Sequence, residues 1–144
     1  MDDLRTLLRQ ILDQGYLLSL ASVDESGPWV SDVIYTFDGD LNLYWISQSE
    51  SRHSKAFVTN PLASGAITVV EKPEGKGIGL QISGTVRMLA QIPANSLALY
   101  TKKRKGETQW IPSAGEVWYR LTPSKFDLIY EPLFGFTKKF LILT

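Results

Sequence analysis

Ser47, Ser49, Ser51, Arg52, His53 and Lys55 lie close together in the stretch ISQSESRHSKAF, residues 46–57. An apolar strand ending runs into serines, and then Arg52, His53 and Lys55 crowd what reads as the first turn of a helix. Bases are badly placed there, because the aligned peptide dipoles already give a helix N-terminus about half a positive charge. Free N–H groups, hydroxyls and a planar guanidinium together describe a phosphate site. If Ser49 or Ser51 caps the helix, its open N–H groups point out beside Arg52, and Ser47 faces the same space. The same residues also read as a capped helix with Arg52 and Lys55 in solvent. His53 has Phe57 one helical turn later, so it either packs on that ring or adds a donor to the anion. A lone histidine with no identifiable partner gives little support to a catalytic base.

Other polar residues interrupt apolar segments. Ser31 and Asp32 break a strand-like run directly after Pro28, and Gln81 does the same within 78–89. Each reads as the solvent side of an alternating strand, or as part of a surface against a flat heteroaromatic ligand. In the tail LFGFTKKFLILT, Lys138 and Lys139 open the last strand. They read as charged edge protection, or as a lysine reaching a ligand, including one bound by a second subunit.

Composition narrows the chemistry. The 144 residues carry 15 Lys and Arg against 15 Asp and Glu. No global field therefore recruits nucleic acid or an anionic membrane, and any anion binding is local. The chain has no cysteine and a single histidine, which excludes disulfides, a thiol nucleophile and multi-histidine or thiolate metal centres. GxSxG, Walker and GxGxxG signatures are absent. GKGIG at 75–79 reads as a hairpin loop. The charged N-terminus lacks a signal core, and no apolar run has membrane-spanning length. The expectation is a soluble cytoplasmic protein forming one domain, 1–144.

The elements that must position these residues follow from periodicity. Leu4, Leu7, Leu8, Ile11 and Leu12 predict a helix over 3–14, capped by Asp2 or Asp3 and stopped by Gly15. Period-two segments predict strands at 16–23, 29–37 and 41–47, with DESGP and DGD as turns. Gly39 is expected to take the positive φ of a tight hairpin. A helix over 51–59 ends at Asn60-Pro61. Strands follow at 63–71 and 78–89, with Gly84 marking a bulge or bend. A third helix covers 93–104, and EVWYRLTP, KFDLIY and KKFLILT supply two or three closing strands. Six to eight hairpin-joined strands with three short helices predict a mainly β fold, an antiparallel barrel or strongly coiled sheet.

This order of elements, with SRHSKAFVTNP after a three-strand meander and ISGTVRML in a later strand, resembles the pyridoxamine-phosphate-oxidase-like family of FMN-binding split barrels. The resemblance covers about residues 5–90, and the remainder loosely. It implies a split-barrel homodimer with FMN in a cleft between subunits, serving oxidoreductase chemistry. In that family a Ser-Arg-Lys helix start grips the FMN phosphate. Ser51 and Arg52 fall on the first two positions and His53 on the third, with Lys55 close by. Arg52 would pair with the phosphate, Ser47 and Ser51 would donate hydroxyl bonds, and strand 30–34, with Ser31, Asp32 and Val33, would line the ring; Gln81 and Lys138 complete the expected contacts. A further base common in the family is absent where Ser31 and Asp32 stand. The Trp and Arg segment that the oxidase uses for its vitamin substrate has no clear counterpart. Two other expectations stay open: a non-catalytic binder of flavin, haem (through His53) or a phosphorylated metabolite, and a cofactor-free dimeric interaction module.

Overall fold

The computed structural model describes residues 3–69 and 75–143. The first helix, α1, is Leu4–Gln14, and Asp3 caps it by accepting from the Thr6 N–H at 2.8 Å. Its apolar stripe, Leu7, Leu8, Ile11 and Leu12, is buried against the sheet. The C-terminus of α1 is tied down from outside. Tyr35 donates its hydroxyl to Leu12 O at 2.7 Å, and Lys103 Nζ donates to Leu12 O and Gly15 O at 3.0 and 2.9 Å. The Lys103 ammonium also lies 3.8 Å from the Tyr35 ring centre. Burial pushes its pKa down to about 8, against the pull of Asp13.

Eight strands form one antiparallel sheet: β1 Leu17–Asp24, β2 Gly27–Ile34, β3 Thr36–Phe37, β4 Leu43–Gln48, β5 Leu62–Thr68, β6 Ile78–Leu89, β7 Glu116–Tyr130 and β8 Lys139–Ile142. The order is β2-β1-β5-β6-β7-β4-β3, with β8 added to β7. This sheet curls, without closing, around a core in which Leu18, Leu20, Trp45, Ile67, Leu80, Leu121 and Phe126 are each at most 1% exposed. The mainly β, antiparallel half-barrel is the architecture expected from the strand pattern.

Three details depart from expectation, and the number of closing strands is settled. The run 29–37 is two strands, because Tyr35 turns into the core to reach α1. EVWYRLTP and KFDLIY join into one 15-residue strand, β7, so with β8 the closing strands number two, the lower of the two counts expected. Its proline is accommodated where the β6–β7 register shifts: Ser83 pairs with Lys125 but Gly84 with Pro123, leaving Ser124 as an extra residue. A fourth, one-turn helix, α4 Glu131–Phe134, follows β7. In the 38–42 turn the positive φ falls on Leu41 (69°), not Gly39. Asp38 organises that turn by accepting from the N–H groups of Asp40 and Asn42 and from the Tyr44 hydroxyl. Positive-φ glycines lie elsewhere, at Gly27 in the β1–β2 turn (110°), Gly115 (82°) and Gly135 (58°). Residues 70 and 71, expected to end a strand, lie outside the described residues, as do residues 72–74 of the loop that follows.

The helix α2, Arg52–Thr59, connects β4 to β5, and α3, Ala94–Lys103, covers the β3–β4 side. Thr36 donates to Ser96 O at 2.7 Å and Ser96 donates to Phe37 O at 2.9 Å, so α3 is fixed to β3 by reciprocal hydroxyl bonds. Among the described residues no helix is long and apolar enough to cross a membrane.

Candidate functional site

Strand β4 ends in Ser47 and Gln48, and the chain turns at once into α2. Ser51 is the cap. Its Oγ accepts from the Ser54 N–H at 3.4 Å and lies 2.8 Å from Gln48 O and 2.7 Å from Ser54 Oγ. His53 does not rely on Phe57 for a polar partner. Its Nε2 lies 2.8 Å from Ser47 Oγ and 3.4 Å from Ser51 Oγ. A linked set of three hydroxyls and one imidazole therefore stands at the positive end of α2. Ser47 and Ser54 are buried.

The imidazole is half-buried, and burial holds its pKa below the ordinary 6.5. As the only histidine, it gives a single imidazole signal in proton NMR. That signal should titrate with a midpoint below 6.5, whereas a midpoint at or above 6.5 would contradict the buried geometry. A depressed folded pKa means that the unfolded chain takes up the proton first. The stability that His53 contributes is complete above about pH 6.5 and is lost as pH falls through the folded value.

Arg52 has a specific partner. Its Nε and Nη2 donate to Asp24 Oδ2 and Oδ1 at 2.9 and 3.1 Å, and its guanidinium carbon sits 4.4 Å from the Trp29 ring centre. Hydrogen bonding to Arg52 lowers the Asp24 pKa, and the same contact raises that of Arg52. Lys55 meets Glu50 at 3.4 Å, with both side chains largely exposed. Asp24, Arg52, Glu50 and Lys55 line an open cleft of about 690 Å³ together with Glu25, Ser26 and Thr59. Asp24 and Trp29 were missed by sequence reasoning: Asp24 reads as part of a turn, and Trp29 as one more apolar strand residue.

The remaining candidates divide between two faces of the sheet. Ser31 pairs with Leu20, whereas Asp32 pairs with Ser19. Ser31 therefore shares the barrel-side face of β2 with Trp29, and Asp32 points the other way. Val33 is 7% exposed and its side chain packs in the core, which leaves its backbone as the more accessible part. Asp32, Ser19, Ala66, Gln81 and Asp127 form one row across the outer face. There Ser19 donates to Asp32 at 2.6 Å and Lys138 Nζ donates to Gln81 Oε1 at 2.6 Å. One chain thus brings Ser47, Ser51, Arg52 and His53 together at the start of α2, with Lys55 at the rim, sets Ser31 on the same face of β2 as Trp29, and places Asp32, Gln81 and Lys138 elsewhere. No group of three or more His, Cys, Asp or Glu residues arranged to hold a metal occurs among the described residues.

β2 is the sheet edge nearest this site, pairing with β1 and with no other strand among the described residues. Beyond it, β4 pairs with β3 only through Leu43 and Tyr44. The barrel is open at this seam. The same architecture occurs in a protein named as a candidate pyridoxamine 5'-phosphate oxidase from Listeria innocua, at a TM-score of 0.71 and 21% identity, covering 88% of this chain and 98% of that one. The fold is the split barrel of the pyridoxamine 5'-phosphate oxidase-like proteins.

Two further split barrels illustrate its range. A haem-binding protein from Mycobacterium smegmatis matches at TM-score 0.76 and 15% identity, over 99% of this chain and 59% of that one. An F420 reductase matches at TM-score 0.65 and 18% identity, over 82% and 94%. In sequence, UPF0306 proteins of Yersinia pseudotuberculosis and Yersinia pestis are 24% identical over 85 residues. That match covers 58% of this chain and 58% of the relatives, less than two thirds of their length. No protein-family model matches the chain.

Proposed function

We propose that this split barrel binds FMN, with its phosphate at the N-terminus of α2 and its ring along the open edge of β2. The observation that carries the reading is the set formed by Ser47, Ser51, His53 and Ser54 at the start of an eight-residue helix, with Arg52 at its first position. The donor set suits a phosphate, combining helix N–H groups, hydroxyls, an imidazole and a guanidinium. A flat ring suits the seam, where β2 has an unpaired edge and Trp29 is 44% exposed. When bound, a flavin supplies hydride and electron transfer. The chain's own residues bind and orient it: Ser47 and Ser51 by hydroxyl contact, Arg52 by charge, and Ser31 from the neighbouring strand face.

Haem is a weaker candidate. The Nε2 of the sole histidine lies against Ser47 Oγ at 2.8 Å, so iron would have to break that contact or bind through Nδ1.

A second copy of the chain belongs to the same proposal. On the outer face, Leu17, Val30, Phe140 and Ile142 are 44%, 62%, 58% and 61% exposed, and a hollow of about 440 Å³ there is lined by Val30, Ser19, Ala66, Gln81 and Asp127 among others. A homodimer packed there would cover this apolar surface and bring the Asp32, Gln81 and Lys138 group of one copy to bear on the cleft between subunits.

The test is the absorption spectrum of the purified protein between about 350 and 500 nm, followed by titration with FMN under flavin fluorescence. Flavin bands, or saturable quenching, are expected. Arg52→Ala should weaken FMN at least about ten-fold, the scale of a lost charge-assisted contact. A colourless protein that takes up no FMN overturns the reading, and unchanged affinity in Arg52→Ala places the phosphate elsewhere.

A further inference from the structure

The residue best suited to grip a phosphate is held by a carboxylate of its own chain. Asp24 engages Arg52 in the two-pronged geometry that a phosphate would use, through Nε and Nη2 at 2.9 and 3.1 Å. The opposite side of the arrangement matters as well. The guanidinium lies over the Trp29 ring at 4.4 Å, so one conformation of Arg52 occupies both a donor pair and an exposed indole face. Glu25 and Glu50 line the same cleft, so its carboxylates outnumber Arg52 and Lys55. An anion entering here meets competition before it meets a free cation.

Building on the FMN reading, we propose that Asp24 is a built-in competitor for Arg52 and sets the charge that a ligand needs to bind. A neutral or singly charged group gains nothing by exchanging with a carboxylate that already makes two hydrogen bonds. A phosphomonoester carries a charge of about −1.5 to −2 near neutral pH and three acceptor oxygens, so it can win the exchange. The same movement of Arg52 would uncover Trp29 for a planar ring. The site is thereby tuned to ligands that join a terminal phosphate to a flat heteroaromatic ring.

Asp24 sits where it can release its partner. It ends β1, and its Oδ1 also accepts from the Ser26 N–H at 2.9 Å within the turn that Gly27 completes. Asparagine at 24 keeps that acceptor and removes the charge, so the turn survives the substitution.

The experiment titrates FMN and riboflavin into the full-length wild-type chain and Asp24→Asn, with thermal melts to confirm that both fold. FMN should bind Asp24→Asn about five-fold more tightly, the upper range for a partly exposed ion pair. Riboflavin, which lacks the phosphate, should bind both proteins equally. FMN affinity that is unchanged or weaker in Asp24→Asn overturns the competitor role while leaving the FMN reading standing. Equal tightening for riboflavin also overturns it, because the effect would then not act through the phosphate. If neither protein binds FMN, the FMN reading fails and this inference falls with it.

Discussion

Trp45→Ala should cost about 3–5 kcal/mol of unfolding free energy, whereas Trp45→Phe should cost about 1–2 kcal/mol. Trp45 is 0% exposed and is the largest of the fully buried side chains. Its ring stacks on Tyr119 of β7 at 6.0 Å and meets Phe57 of α2 edge-on at 6.5 Å. Alanine would leave a void between side chains fixed by two different elements, and such sites collapse poorly. Phenylalanine keeps most of the contact and removes a liability, because the indole Nε1 has no hydrogen-bond partner. Urea unfolding followed by circular dichroism measures both. Similar costs for the two variants would show that the indole is not the wedge between α2 and the sheet. Since Phe57 anchors α2, Trp45→Ala should also weaken whatever binds at that helix's N-terminus.

Gly84→Ala should destabilise by about 3 kcal/mol, the upper range for overpacking, while Gly39→Ala should be close to neutral. A Cβ at residue 84 would run into Thr122 O and lie 3.0 Å from Pro123 Cα. Both obstacles are backbone, so no rotamer change relieves them. This is where the β6–β7 register shifts, and the tight approach lets a proline sit inside the longest strand. At Gly39 nothing lies within 4 Å and φ is not positive, although the sequence marks it as the glycine of a tight hairpin. Equilibrium unfolding of the two variants side by side checks the contrast. A neutral Gly84→Ala would mean that the bulge can open.

Much of the fold is legible because it rests on local rules. The amphipathic spacing of Leu7, Leu8, Ile11 and Leu12, the Asp3 cap, the Ser51 cap and the stop at Asn60-Pro61 each depend on residues a few positions apart. Strand alternation likewise predicts which face of β1, β5 and β6 is buried. What local rules miss is the choice between continuing and breaking. The break at Tyr35 is decided by a hydrogen bond to Leu12, and the continuation of β7 through Pro123 by the bulge opposite Gly84. Pattern alone scores Tyr35 as a strand residue and Pro123 as a stop.

The candidate site divides in the same way. The sequence by itself determined that Ser51, Arg52 and His53 stand at a helix start with their charges at the unfavourable end, because cap chemistry and dipole direction are properties of the segment. It determined too that no thiol or multi-histidine metal chemistry is available. Only the tertiary structure decided what those residues meet. Asp24 and Trp29 reach Arg52 because the β1–β2 hairpin folds its turn against α2, and Ser47 reaches His53 because β4 ends beside the same helix. It also separated Ser31 from Asp32, adjacent in sequence but on opposite faces of a pleated strand, and removed the Val33 side chain to the core. Charge pairing and face assignment depend on strand register across dozens of residues, and a segment read alone carries no register.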